Sequence, residues 1–102
     1  MNKVMLTGRI SKDIFLQEKF AIITLAVQKE YDKTKTDFIP VLISGPIIKD
    51  ISKKYFKGDM LFIQGSVTVF TKDGKQTIGL NGENIEYISP GKIHKKMDEE
   101  NS

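Results

Sequence analysis

Apolar and polar residues alternate with a period of two over most of the chain, which is the pattern of half-buried β-strands. Four segments show this alternation: NKVMLTGRI, FAIITLAVQK, DFIPVLIS and DMLFIQGSVTVF. The residues predicted to face the core are Val4, Leu6, Ile10, Ile23, Leu25, Val27, Ile39, Val41, Ile43, Leu61, Ile63, Val67 and Val69. A fifth predicted strand, TIGLNGENIEYI, follows an Asp-Gly pair, which is a strong signal for a tight β-hairpin.

A single segment changes to a helical period. In PIIKDISKKYF the apolar residues Ile47, Ile48, Ile51 and Tyr55 fall on one helical stripe, and Pro46 suits the first turn of a helix. The last segment, SPGKIHKKMDEENS, has no apolar periodicity. We therefore predict one folded domain over residues 1–88 and a short flexible C-terminal tail over residues 89–102.

The order of elements is three strands, a helix and a two-strand hairpin, within 102 residues. Five strands in so short a chain are expected to curl into a small barrel, with the helix covering one end. Gly8 and Gly65 lie inside strands, where glycine marks the bends that a tight barrel needs. We therefore predict an all-β fold with one short helix, a five-stranded OB-fold barrel of order β-β-β-α-β-β.

The composition offers little material for catalysis. The chain has no cysteine and a single histidine, His94, which we expect to be a solvated residue of the tail. Glu83 and Glu86 are three residues apart on a strand and point to opposite faces, so they cannot act as a carboxylate pair. We predict no enzymatic activity, no cofactor and no metal site. The lack of cysteine and of a long apolar run favours a cytoplasmic protein without contact to a membrane.

Lysines interleaved with aromatic residues on the outward phase of the strands are the informative feature. The net charge is +3. Phosphates need mobile cations, and unpaired bases need flat apolar platforms, so this combination favours single-stranded nucleic acid. The first hairpin holds Lys29, Tyr31, Lys33, Lys35 and Phe38, and the second holds Phe70, Lys72 and Lys75.

Each aromatic has an alternative role. Tyr31 would also serve to cover a barrel end, and Phe38 and Leu42 would suit a protein interface. Phe62 has the outward phase but fits the core edge or a subunit interface better. We assign Tyr55, Phe56 and Tyr87 to packing.

At this point the sequence resembles the bacterial and phage single-stranded DNA-binding proteins over about residues 2–88. The resemblance lies in NKVMLTGRISKD, ITLAVQKEYD, TDFIPVLISG, KKYFKGDMLFIQGSVTV and GENIEYI, in the family's order. It implies a protein that coats single-stranded DNA in replication, recombination or repair. It also implies a homotetramer whose dimers pair through the first strand, with a plain dimer as the alternative.

Carried over to this chain, the family's stacking aromatics fall on Tyr31 and Phe38, and approximately on Phe70. Its cationic contacts fall on Lys3, Arg9 and Lys57. The lysines that lie in family DNA-binding loops without a matching position are Lys29, Lys33, Lys35, Lys72 and Lys75.

Several features depart from the family pattern. There is no tryptophan, Ser44 stands where an aromatic is frequent, and Pro40 and Pro46 stand where cations are common. These differences imply weaker binding or a shorter footprint. The tail ends in MDEENS, without the acidic Pro-Phe tip through which members recruit replication and repair proteins.

Three other functions fit the sequence. One is a primosome-type dimeric adaptor of the same fold, and a second is a module whose Phe38, Leu42 and Phe62 form a protein interface. The third is an RNA-binding module, because nothing in the sequence reads a 2′-hydroxyl.

Overall fold

A computed structural model describes residues 1–101. The strands are β1 (Val4–Ile10), β2 (Phe15–Leu16), β3 (Phe20–Gln28), β4 (Thr36–Ser44), β5 (Met60–Lys72) and β6 (Lys75–Ser89). A 3-10 helix (Pro46–Lys49) and the single-turn helix α1 (Ile51–Lys54) connect β4 to β5, and α2 (Lys92–Glu100) follows β6. None of the helices in this described part is long and apolar enough to cross a membrane.

The strands form one sheet that closes on itself. Its order is β1-β5-β6-β4-β3-β2, and β1 also pairs with β3. The contact between β1 and β3 is tight, because a Cβ at Gly8 would collide with the carbonyl group of Ala26. The predicted OB-fold barrel is confirmed, with the two-residue strand β2 added at its edge and a helical segment before β5.

The barrel interior holds seven of the thirteen residues that the period of two placed there, and Leu6, Val27 and Ile39 pack against them partly buried. Ile10, Ile23, Leu25, Val41, Ile43, Leu61 and Ile63 are all buried, and Ile51 of α1 joins them. The prediction is wrong for Val67 and Val69, which are exposed. Both lie where the β5–β6 hairpin extends beyond the barrel, so no opposite strand covers their inward face.

The hairpin turn has the predicted chemistry. Asp73 and Gly74 both have positive φ values, 53° and 77°, between the paired residues Lys72 and Lys75. This is the pattern of a type I′ turn, for which Asp-Gly is among the preferred pairs. The turn therefore sets the β5–β6 register from Lys72↔Lys75 as far as Gly65↔Gly82, beyond which two irregularities shift it.

The segment predicted as a flexible tail instead forms α2. Its anchor is polar: the buried Asp59 carboxylate accepts hydrogen bonds from the Gly91 N–H at 2.8 Å and the Phe56 N–H at 3.0 Å, and His94 Nδ1 lies 2.8 Å from it. His94 is therefore a packed residue, contrary to the prediction. Apolar periodicity cannot detect such an anchor, because the contact joins residues 35 positions apart in sequence.

Candidate nucleic-acid interface

The register of the strands aligns a row of side chains on the outer face of the barrel. Met60 pairs with Arg9, Arg9 pairs with Ala26, and Ala26 pairs with Phe38. Directly opposed residues in a sheet project to the same side. Phe38 therefore lies two strands away from Arg9, with the small side chain of Ala26 between them, at a spacing of about 10 Å.

Beside this row lies an open groove of about 1090 Å³. We call it the outer groove; it is lined on the barrel side by Met5, Thr7, Arg9, Met60 and Phe62, and on the loop side by Tyr31 and Lys33. Phe62 pairs with Thr7, which explains its position at the groove. The sequence predicts Phe62 at the core edge or at a subunit interface, and its outward phase on β5 is the signal that agrees with a place at the groove.

The aromatic rings predicted to stack on bases are all accessible. Tyr31 is 81% exposed, Phe38 is 65% exposed and Phe70 is 46% exposed. Lys29 Nζ lies 5.8 Å from the centre of the Tyr31 ring, within the range of a cation–π contact. A ring that is so largely exposed keeps free surface for a flat partner.

Phe70 lies apart from the other two rings. It projects from the β5–β6 hairpin, where Lys72 and Lys75 share its face by register. The Phe70 ring lies across Gly79, so closely that a Cβ at Gly79 would be 2.7 Å from Phe70 Cε1. The Phe70 ring can therefore pack against the sheet at Gly79 because this residue has no side chain.

The loop between β3 and β4 carries acids beside its lysines. Lys29 Nζ forms an ion pair with Asp37 at 2.8 Å, whereas Lys33 with Glu30 and Lys35 with Asp32 stand at the 4.0 Å limit. Counted over residues 29–37, which add Asp37 from the start of β4, the loop has three lysines and three acids and therefore no net charge. The positive charge of the lysines that the sequence placed in the first hairpin is therefore balanced by neighbouring acids.

Asp32 also organises the loop. The hydroxyl of Thr34 donates a hydrogen bond to Asp32 Oδ1 at 2.6 Å, and its N–H donates another at 3.1 Å. These two bonds lower the pKa of the Asp32 carboxyl, and the bond from the hydroxyl has the larger effect. The loop that presents Tyr31 is thus held by a local turn.

The remaining predicted cations occupy separate places. Lys3 is exposed just before β1, and Lys57 is exposed in the turn before β5. Arg9 donates a hydrogen bond from Nη1 to the Gly58 carbonyl at 2.8 Å, which fixes the guanidinium at the end of the outer groove. The structure thus brings Arg9, Lys29, Tyr31 and Lys33 together around this groove, with Phe38 beside it. Lys3, Lys57 and the Phe70 hairpin do not line the groove.

Near α2, the ring of His94 is held between two aromatic rings. Phe56 meets it edge-on at a centroid distance of 5.1 Å, and Tyr87 lies at 5.5 Å. Burial raises the pKa of the Tyr87 hydroxyl, and the negative charges of Asp59 and Asp98 raise it further. Phe56, which is half-buried, has the packing role predicted for it, whereas Tyr87 contacts His94 but remains 44% exposed.

No cluster of His, Asp and Glu side chains within residues 1–101 could hold a metal ion. What the outer face offers is flat apolar surface and a fixed guanidinium in an open groove. Such a site can stack planar groups and neutralise phosphates, and it lacks the enclosed pocket that recognition of a small molecule needs.

Comparison with known proteins gives a consistent picture. Residues 1–86 match the model of the single-strand binding protein family. A single-stranded DNA-binding protein from Clostridium perfringens is 30% identical, over 89% of this chain and 68% of its own length. Single-stranded DNA-binding protein 3 from Clostridium acetobutylicum is 31% identical, over 74% of this chain and 58% of its own length.

Solved structures agree on the fold. The mitochondrial single-stranded DNA-binding protein Rim1 from S. cerevisiae superposes with a TM-score of 0.74 at 18% identity, over 89% of this chain and 98% of its own. The dimeric structure of the N-terminal domain of PriB from Thermoanaerobacter tencongensis gives a TM-score of 0.68 at 17% identity, over 87% and 98% of the two chains.

Proposed function

The chain belongs to the single-strand binding protein family, and from this membership and the geometry of the outer face we propose that it binds single-stranded DNA without sequence preference. The observation that carries the proposal is the exposure of Tyr31 and Phe38 beside the fixed guanidinium of Arg9. Bases stack on the two rings while Arg9 and the nearby lysines contact phosphates. Every base has a π-face, so this mode of binding tolerates any sequence.

In this proposal the protein acts in the cytoplasm as a binding protein and not as an enzyme. It protects single strands that replication, recombination or repair exposes. Duplex DNA hides its base faces, so stacking on Tyr31 and Phe38 discriminates against it. Because the β3–β4 loop carries no net charge, we propose that stacking contributes more to the binding free energy than phosphate contacts of this loop do.

We test the proposal with fluorescence anisotropy of labelled oligo-dT. Tyr31→Ala and Phe38→Ala are each expected to weaken binding about 5- to 150-fold, because a stacked base contributes about 1–3 kcal/mol. Phe15→Ala is the matched control: Phe15 is also an exposed aromatic, but it lies on β2 against Phe20 and outside the outer groove. Equal affinity for single strands and duplex, or equal losses in all three variants, would refute the proposal.

Self-association is the second part of the proposal. β1 pairs with β5 along Val4–Arg9, but it pairs with β3 only at Arg9 and Ile10. The first half of β1 therefore has an unpaired backbone edge, and such an edge is a template for strand pairing between chains. We propose that two chains pair through β1 and that two such dimers form a homotetramer, with the dimer as the alternative.

The dimeric state of the structurally similar PriB domain supports pairing between chains. Light scattering on the purified protein tests this pairing. A mass four times that of the 11.6 kDa chain supports the tetramer, and a mass twice that of the chain supports the dimer. A mass of 11.6 kDa at micromolar concentration would contradict pairing through β1.

A further inference from the structure

Arg9 lines a second groove besides the outer groove. This groove has a volume of about 520 Å³ and lies between the turn before β5 and the first turn of α2. Four of its lining residues, Arg9, Lys57, Lys92 and Lys95, are basic, and the others are apolar or glycine. We call it the basic groove.

The positive charge of the basic groove is not balanced by acidic residues, whereas that of the β3–β4 loop is. Within residues 1–101, none of its lining residues is acidic, and Lys57, Lys92 and Lys95 have no ion-pair partner. The three lysines are exposed. The first turn of α2 also lines the groove, and the positive end of a helix dipole favours an anion there.

The position of α2 is fixed by contacts that do not involve its lysines. Asp59 is fully buried and holds both Gly91 and His94. Gly91 also lies directly on the backbone of Gly58, since a Cβ at Gly91 would be 2.5 Å from the Gly58 carbonyl carbon. The same Gly58 accepts the hydrogen bond from Arg9. One short turn therefore positions the guanidinium of Arg9 and the N-terminus of α2 together.

We propose that the basic groove binds the phosphodiester backbone of single-stranded DNA that continues past Arg9 from the outer groove. Lys92 and Lys95 of α2 are then part of the DNA interface, although the sequence assigns them to a flexible tail. The basic groove lengthens the footprint of the barrel and offsets the balanced charge of the β3–β4 loop. This inference rests on the proposed binding of single-stranded DNA.

The double variant Lys92→Ala/Lys95→Ala tests the inference. Binding of oligo-dT of about 16 nucleotides, the upper end of the site size of one OB-fold, is measured as a function of salt. In a plot of log affinity against log salt concentration, each lost phosphate contact makes the slope shallower by about 0.7 on single strands. The slope of the double variant is therefore expected to be shallower by about 1.4. Over a fourfold increase in salt, wild-type affinity then falls about sevenfold more than that of the variant.

The matched control is Lys53→Ala/Lys96→Ala, which removes the same charge. Lys53 lies on α1 and Lys96 on α2, and both are exposed and outside the basic groove. The inference expects this control to keep the wild-type slope. It is overturned if both double variants change the slope equally, since only net charge then matters, or if the slope of Lys92→Ala/Lys95→Ala is unchanged.

The experiment distinguishes failure of the basic groove from failure of the proposed binding to single-stranded DNA. If wild type and control bind oligo-dT and Tyr31→Ala weakens binding, an unchanged slope in Lys92→Ala/Lys95→Ala overturns the role of α2 alone. If wild-type protein does not bind oligo-dT at all, the proposed function and this inference are both overturned.

Discussion

Replacing Asp59 with alanine would remove the anchor that holds α2 against the barrel. The side chain is fully buried, and its carboxylate is engaged by Phe56 N–H, Gly91 N–H and His94 Nδ1 at 2.8–3.0 Å. Aspartate at this position satisfies all three groups at once. An alanine satisfies none of them.

The expected cost follows from the groups left behind. Two backbone N–H groups lose their acceptor, at about 1–3 kcal/mol each, and His94 loses its partner. We therefore expect Asp59→Ala to lower the free energy of unfolding by about 3–5 kcal/mol, in line with the loss of one partner of a buried pair. Domains of this kind have about 5–15 kcal/mol in total, so the change is large.

The assay is urea unfolding followed by circular dichroism, with Asp13→Ala as the matched control because Asp13 is exposed. The control is expected to change stability by less than about 0.5 kcal/mol. His94→Ala is expected to cost about 1.5–3 kcal/mol, less than Asp59→Ala, because both backbone donors keep their acceptor. A loss below about 1 kcal/mol in Asp59→Ala, or equal losses in Asp59→Ala and Asp13→Ala, would refute the anchor.

Three further predictions concern Phe70, Lys29 and the buried Tyr55. Gly79→Val is expected to displace the Phe70 ring and to leave the unfolding curve normal. Fluorescence anisotropy should then show oligo-dT binding weakened as much as in Phe70→Ala. Unchanged affinity in Gly79→Val would contradict stacking of a base on Phe70. Asp37→Asn frees Lys29 from its ion pair, so the salt slope is expected to steepen by up to about 0.7; an unchanged slope would show that Lys29 does not reach a phosphate. Burial raises the pKa of Tyr55, so the neutral hydroxyl stabilises the fold below the unfolded pKa of about 10, and this stability is lost as the pH rises through the folded value. Urea unfolding at rising pH should therefore show an alkaline loss that is smaller in Tyr55→Phe, and identical profiles would contradict it.

The barrel could be predicted from the sequence because its determinants are local or periodic. Alternation places Ile23 and Leu25 inside, and the Asp73-Gly74 pair sets the hairpin turn, so each strand carries its own signal. The same alternation is misleading at Val69, 57% exposed, because the rule assumes an opposing layer that the end of the hairpin lacks.

The candidate site was predictable to a smaller extent. The exposed positions of Tyr31 and Phe38 follow from their place at strand ends and on the outward phase. The ion pair of Lys29 with Asp37 depends on how the two strands meet across the loop. The outward phase of Phe62 is a local signal, but its position at the outer groove also depends on its register with Thr7, which the phase alone does not show.

The α2 helix shows the limit of sequence patterns most clearly. Its anchor joins Asp59 to Gly91 and His94, so a single buried carboxylate replaces the apolar stripe that a sequence search looks for. A histidine in a polar segment gives no sign of a partner 35 residues away. The positions of Lys92 and Lys95 in the basic groove could therefore be recognised only from the folded chain, whereas Lys57 was predicted from the family resemblance.

Tyrosine fluorescence during titration with oligo-dT shows directly whether bases stack on the exposed aromatics of the outer face. The chain has three tyrosines and no tryptophan, and Tyr31 is the most exposed of them at 81%. Oligo-dT is expected to quench the wild-type emission. Tyr31→Phe, which keeps a stacking ring, is expected to bind with similar affinity but to lose most of the quenching. Equal quenching in wild type and Tyr31→Phe at saturating oligo-dT would contradict stacking on Tyr31.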